Sequence, residues 1–223
     1  MNATTLIMTY VITFLLGSVP WGVVISKLFY KTDIRELGSG NIGATNALRS
    51  LGKAGGAAVF VLDFAKGVLS GLVATFIYMT FVAADSSGLD FFALRASSSD
   101  VQSILAIAIC GCTLGHIFSP WLGFKGGKGI AVAVGCSFVA LGWIPTVLAF
   151  AIFVAIVLIT RYVSMGSIAA AAVFPFLSLW VYWGNIFAIL LCTIVSLVVI
   201  WAHRENIKRL LEGTESRIGN KRD

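Results

Sequence analysis

Four short stretches of the chain carry residues that could do chemistry, and each has groups suited to holding an anion. Residues 38–50 read GSGNIGATNALRS. Glycines such as Gly40 let the backbone come close to a ligand, and exposed amides can hold negative charge. Ser39, Asn41, Thr45 and Asn46 add hydrogen-bonding groups, and Arg49 adds a planar fork that matches phosphate. A flexible loop with a helix cap is the plainer account of the same residues. Residues 115–129 read GHIFSPWLGFKGGKG and set Lys125 and Lys128 around Gly126 and Gly127. That pattern also suits an anionic group, although lysines marking membrane topology beside glycine turns would look the same. Residues 161–167, RYVSMGS, say little alone, because Ser164 and Ser167 could simply cap the next helix. Residues 203–213, HRENIKRLLEG, would bring His203 and Asn206 to one face of a helix, or form a solvated amphipathic tail on anionic lipid. Asp63 and Lys66 are a fifth feature, an i, i+3 pair in an apolar segment. They read equally well as a structural ion pair or as a place where Lys66 lines an anion site.

Several familiar chemistries are excluded by spacing. Gly38, Gly40 and Gly43 spell G-x-G-x-x-G, and Asp63 lies about 20 residues on, as a dinucleotide site requires. That fingerprint must follow a strand in a soluble βαβ unit, whereas here a membrane span and the charged KTDIREL precede it. The Lys128 cluster fails the phosphate-loop pattern. Leu122 stands where the first glycine belongs, and Gly129 follows the lysine where Ser or Thr is needed. Acyltransferases that pair a His with an Asp five positions later are not matched, since Trp121 follows His116 and Lys208 follows His203. Asp33 and Glu36 are the nearest acidic pair on the basic side and lack further ligands for a metal, so no metal and no cofactor are expected. Cys110, Cys112, Cys136 and Cys192 lie in apolar runs and read as packing residues.

The elements that must position these clusters are membrane spans. Of 223 residues, 58% are hydrophobic and 12% charged, about half the charge of a soluble domain. The net charge of +6 borders apolar runs rather than forming a basic domain, which argues for topology signals and anion ligands and against nucleic acid. Residues 6–29, 54–84 and 101–118 each give a span. The first has no basic residue before it and does not read as a cleavable signal. Residues 129–160 are uncharged for 32 positions. One helix of that length would rise about 48 Å, too long for a hydrocarbon core of about 30 Å. A turn at Gly142–Pro145 would split it, and Gly184–Asn185 would split residues 166–202 likewise. The expectation is an all-α, polytopic integral membrane protein with about seven transmembrane helices. Lys31, Arg35, Arg49, Lys53, Lys125, Lys128, Arg161, Arg204, Lys208 and Arg209 then fall on one side, and the loop from Asp85 to Asp100 on the other. The positive-inside rule puts the N-terminus outside and the C-terminus in the cytoplasm. Residues 1–223 form one transmembrane domain, with a short cytoplasmic tail at 203–223.

Taken in order, GSGNIGATN with Arg49, DFAKG, GHIFSPWLGFKGGKG, RYVSMGS and HRENI resemble the bacterial membrane glycerol-3-phosphate acyltransferases that use acyl phosphate, the PlsY family. The resemblance covers essentially the whole chain. It implies seven helices in the plasma (inner) membrane and a site facing the cytoplasm. The implied reaction moves a fatty acyl group from acyl phosphate to the sn-1 hydroxyl of glycerol 3-phosphate, giving lysophosphatidic acid and phosphate. The implied site residues are Ser39, Asn41, Arg49, Lys128, His203 and Asn206, joined by one or both of Ser164 and Ser167.

That reaction suits the residues. Arg49 and Lys128 would neutralise two phosphates, with glycine-loop amides and Ser39 completing the contacts. Acyl phosphate already has a good leaving group, so the harder step is deprotonating the attacking hydroxyl. His203, beside Asn206, is the better placed of two histidines to do so, and a substrate phosphate oxygen is the rival base. Membrane lipid is the expected surroundings, and no obligate protein partner is expected. A carrier for a phosphorylated solute and a lipid-binding scaffold are the competing classes.

Overall fold

The computed structural model describes residues 1–82 and 98–219, and among these the regular structure is helical. Two helices, α1 (Ala3–Ser18) and α2 (Trp21–Tyr30), form a first stretch broken at Val19–Pro20. After a loop and the short α3 (Ala44–Ser50), the chain enters α4 (Gly52–Phe81). Helix α5 (Ser99–Ile117) is buried along nearly its whole length and forms the axle of the bundle. The glycine-rich loop leads to α6 (Ile130–Ala140), followed by α7 (Trp143–Thr160), α8 (Val163–Val181) and α9 (Ile186–Ala202). A bend of 52° separates α9 from α10 (Arg204–Leu211).

Five helical stretches among the described residues are long and apolar enough to cross a membrane, and a sixth if α9 and α10 are one bent span. The expected seven passes exceed that number because of α6. Its 11 residues rise only about 16 Å, roughly half a hydrocarbon core. Both expected breaks occur. Gly142 takes φ +95° between α6 and α7, and Gly184 takes φ +87° between α8 and α9. Asn185 then caps α9 by accepting a bond from the Ala188 amide at 3.1 Å. It also ties that turn to α5 through its side-chain amide, which donates to the Ser99 carbonyl at 2.9 Å. All four cysteines are buried free thiols, as packing residues would be.

Small residues set the close contacts, as expected where helices pack without a hydrophobic drive between them. A methyl group at Gly115 would meet the Phe14 carbonyl oxygen, and one at Gly67 would meet that of Val132. These approaches lock α1 to α5 and α4 to α6. Most of the acidic loop at residues 85–100 lies outside the described residues. Asp100 is described, and its carboxylate pairs with the amino terminus at 3.1 Å. The N-terminus therefore sits at the end of the bundle away from the four polar stretches.

Candidate active site

The four stretches converge on one cavity of about 190 Å³. Ser39, Asn41, Thr45, Asn46 and Arg49 come from the first loop and α3, and Lys128 from the second loop. Ser164 and Ser167 come from the first turns of α8, and His203 and Asn206 from the α9–α10 bend. Phe60, Phe150 and Phe153 add apolar walls to the same lining. The cavity thus combines polar groups with hydrocarbon surface.

The first loop is held by Asn46. Its side-chain oxygen accepts from the Ser39 amide at 2.9 Å. Its side-chain nitrogen donates to the carbonyls of Ile34, Leu37 and Asn41 at 3.2, 3.0 and 2.9 Å. Asn46 is therefore fully occupied as the clamp that shapes the loop. Gly38 and Gly40 take φ +56° and +69° there, which explains glycine at both positions. The result leaves Ser39 and Arg49 exposed, and leaves the amides of Ala44 and Thr45 without an intrahelical acceptor at the start of α3.

Gly40, Gly126, Gly127 and Lys66 are not among the cavity-lining residues. The Gly126 and Gly127 amides donate to the carbonyls of Ile117 at 2.9 Å and His116 at 3.0 Å, so they are not free for an anion. A side chain at Gly127 would collide with the His116 ring, so these glycines dock the loop on the end of α5. The Lys66 ammonium donates to the Val19 carbonyl at 2.7 Å, pairs with Asp63 at 2.8 Å and lies 3.0 Å from His116 Nδ1. Of the two readings of this pair, the geometry favours the structural one. Lys66 shares the Val19 carbonyl with the Trp21 amide at the Pro20 break and knots α1, α4 and α5 together. Asp63 and His116, its partners, do reach the cavity.

Glu215 is the residue that motif reading missed. One carboxylate oxygen accepts from Ser164 Oγ at 2.7 Å and from Asn206 Nδ2 at 2.8 Å. The other accepts from Arg209 Nε at 2.7 Å. Ser164 thus braces the tail instead of capping α8. Burial pushes the Glu215 carboxyl up, but the bonds from Asn206, Ser164 and Arg209 outweigh it and bring the group below its ordinary range. The Asn206 side-chain oxygen is left buried without a partner among the described residues. His203 Nδ1 lies 2.8 Å from the Val199 carbonyl. A carbonyl only accepts, so Nδ1 carries the proton and Nε2 carries the lone pair. Burial lowers Lys128 to about 8, and the nearby Arg209 and Arg49 push the same way against Glu215. No group of three His, Cys, Asp or Glu side chains spaced for a metal occurs among the described residues.

The glycerol-3-phosphate acyltransferase family model matches residues 7–213. The chain belongs to the PlsY family of glycerol-3-phosphate acyltransferases. A glycerol-3-phosphate acyltransferase of Agrobacterium fabrum (strain C58) is 43% identical over 212 residues, covering 94% of this chain and 90% of that one. A second relative, glycerol-3-phosphate acyltransferase 2 of Bacillus anthracis, is 38% identical over 98% of this chain and all of its own. Among solved structures, the glycerol 3-phosphate form of PlsY, an integral membrane glycerol 3-phosphate acyltransferase, superposes with a TM-score of 0.79 at 36% identity, covering 96% of each chain. The lysophosphatidic acid form of PlsY gives 0.76 at 35% identity over 96% of this chain and 95% of that one. Family membership makes the protein an acyltransferase and its membrane-spanning helices those of an integral membrane enzyme.

Proposed function

We propose that the protein transfers a fatty acyl group from acyl phosphate to the sn-1 hydroxyl of glycerol 3-phosphate, releasing phosphate and lysophosphatidic acid. The observation that carries this reading is the single cavity that joins Arg49, Lys128, Ser39, His203 and Asn206 to an apolar wall. Two anionic substrates, one with a lipid tail, need both surfaces side by side. Arg49 and Lys128 neutralise the phosphates, assisted by Ser39, Asn41, Thr45 and the first-turn amides of α3. Ser164 and Ser167 close the polar side, Ser164 through its bond to Glu215. Held charge and fixed orientation are the main catalytic contributions.

The glycerol hydroxyl oxygen attacks the acyl carbonyl carbon, the carbon–oxygen bond to phosphate breaks, and phosphate leaves with the bonding pair. The hydroxyl proton goes to His203 Nε2, or to an oxygen of the donor phosphate. Asn206, held by the bond from its side-chain nitrogen to Glu215, lines the same space beside His203 and helps fix the acceptor's position. Turnover of His203→Ala separates the two bases. A loss of about 100-fold or more assigns His203, and near-normal turnover assigns the phosphate oxygen.

In this reading α6 counts as a seventh, short pass. The basic end of the bundle and its site face the cytoplasm of a bacterial cell, with the N-terminus outside. The whole of residues 1–223 works as one domain, without cofactor or obligate partner. Purified protein in detergent, given glycerol 3-phosphate and in turn acyl phosphate, acyl-CoA or acyl-carrier protein, tests the donor. Lysophosphatidic acid forming from acyl phosphate alone is the expected result. Equal product from acyl-CoA would overturn the donor assignment, and vesicle uptake of glycerol 3-phosphate without product would favour a carrier.

A further inference from the structure

A second cavity continues from the first, and its walls carry almost no polar surface. Ile130, Val134, Ala149 and Ala170 line both. The four surrounding helices place their lining residues in the same order along the bundle. On α6 the order from the polar end is Ile130, Val134, Ser137, Leu141; on α8 it runs from Ser164 and Ser167 through Ala170 to Phe174 and Leu177. On α9 the slot begins at Val199, one turn before His203, and runs back to Val195. The two cavities therefore share walls and follow one another along the bundle, with the polar residues in one and hydrocarbon in the other, and together they are read as one slot.

Three hydroxyls line the apolar part, and each is turned into the backbone. Ser137 donates to the Ala133 carbonyl at 2.7 Å, Thr146 to that of Gly142 at 2.7 Å, and Ser196 to that of Ala171. The space they leave is methyl and methylene surface, which a polar ligand would not enter. Leu141, Pro145 and Thr146, all buried, line the far end. Beside Leu141, the Ala140 carbonyl accepts the hydroxyl of the fully buried Tyr182 at 3.2 Å, which bolts the end of α6 to the end of α8.

We infer that this slot measures the acyl chain of the donor, with Ser137 at mid-depth and Leu141 at the stop. The inference rests on the acyl-phosphate reading above. Ile130 and Leu141 are 11 positions apart, so the slot runs about 16 Å along α6. An extended alkyl chain advances about 1.25 Å per carbon, from bonds of about 1.5 Å at tetrahedral angles. Roughly 13 carbons beyond the carboxyl region then reach Leu141, which selects long saturated chains and rejects those that would run into it.

The test is relative kcat/KM for saturated acyl phosphates of about 10 to about 18 carbons, measured on the full-length protein in detergent. Ser137→Leu fills the slot one α6 turn short of the stop, and should shift the preference by about 4 carbons toward shorter chains, changing the short-to-long ratio at least tenfold. Leu141→Ala opens the stop and should extend activity to the longest chain; it keeps the test alive if Ser137→Leu fails to fold. An unchanged profile in either folded variant, or a uniform fall at all lengths, overturns the gauge while leaving acyl transfer intact. Absence of product from every acyl phosphate in the unmodified protein would instead overturn the donor assignment.

Discussion

The two sides of the bundle are built differently. On one side α1, α4, α5 and α6 meet through glycines that bring backbones into direct contact, as at Gly115 against Phe14 and Gly67 against Val132. On the other, α8 packs against both α7 and α9, while α6 meets α7 lightly and touches α8 and α9 hardly at all. The tight side carries the loops that end in Arg49 and Lys128. The loose side borders the apolar slot. Phosphate ligands must be held to a fraction of an ångström to stabilise transition-state charge, whereas an alkyl chain needs only width and depth. The difference assigns precision to the close-packed side and accommodation to the other.

Substitution on the tight side should have the largest effect. Gly115→Val or Gly67→Val drives a side chain into a backbone carbonyl that cannot withdraw, and should leave no folded protein after detergent extraction. Phe174→Ala, half-buried on the slot, should leave the protein folded, with about 2 kcal/mol lost and Tm lower by roughly 4–8 °C. Equal tolerance of the two changes, followed by size-exclusion profile and thermal melt, would erase the distinction. Next comes the phosphate site. Arg49→Glu should cut kcat/KM by about 100-fold or more without moving Tm; an unchanged KM for glycerol 3-phosphate and unchanged turnover would remove Arg49 from the site. Glu215→Gln keeps the shape of the brace but removes its charge, and should lower kcat by about tenfold as Ser164, Asn206 and Arg209 lose their common partner.

A smaller effect is expected from pH. Burial lowers Lys128 to about 8, so its ammonium predominates below that value and is lost as pH rises through it. The kcat/KM profile should be level just below about pH 8 and fall above it, and Lys128→Arg, which stays charged, should abolish that alkaline fall even if its overall rate is lower. The smallest effect is that of a chelator: activity in excess EDTA should match that without it, and complete loss would demand a metal that these residues do not provide for.

How much of this was legible in the sequence follows from how local each feature is. Gly142 and Gly184–Asn185 break long apolar runs by their own backbone and capping preferences, so those turns could be placed without a structure. The order of the polar stretches was legible because each borders a span. What was not legible depends on distant segments meeting. Glu215 is one acid in a basic tail, and its place beside Ser164, 51 positions away, becomes visible only once the tail folds back. Lys66 read equally as an ion-pair partner or an anion ligand, and its bond to the Val19 carbonyl, 47 positions away, shows only once α1 and α4 meet. Gly126 and Gly127 looked like open amides, yet the end of α5 accepts from both. The shortness of α6 followed from the break at Gly142, but whether its 11 residues cross the bilayer did not, because hydropathy reports composition and not how deep a helix sits.

The central claim is that Arg49, on α3, and Lys128, on the second loop, act on one reaction in one chamber. A double-mutant cycle in kcat/KM with Arg49→Met, Lys128→Met and the double variant measures it directly. Groups that share substrates and a transition state should couple, so the double variant should fall short of the summed losses by about 1 kcal/mol or more. Losses that add to within about 0.5 kcal/mol would mean that the two cations work independently, and would contradict a shared chamber.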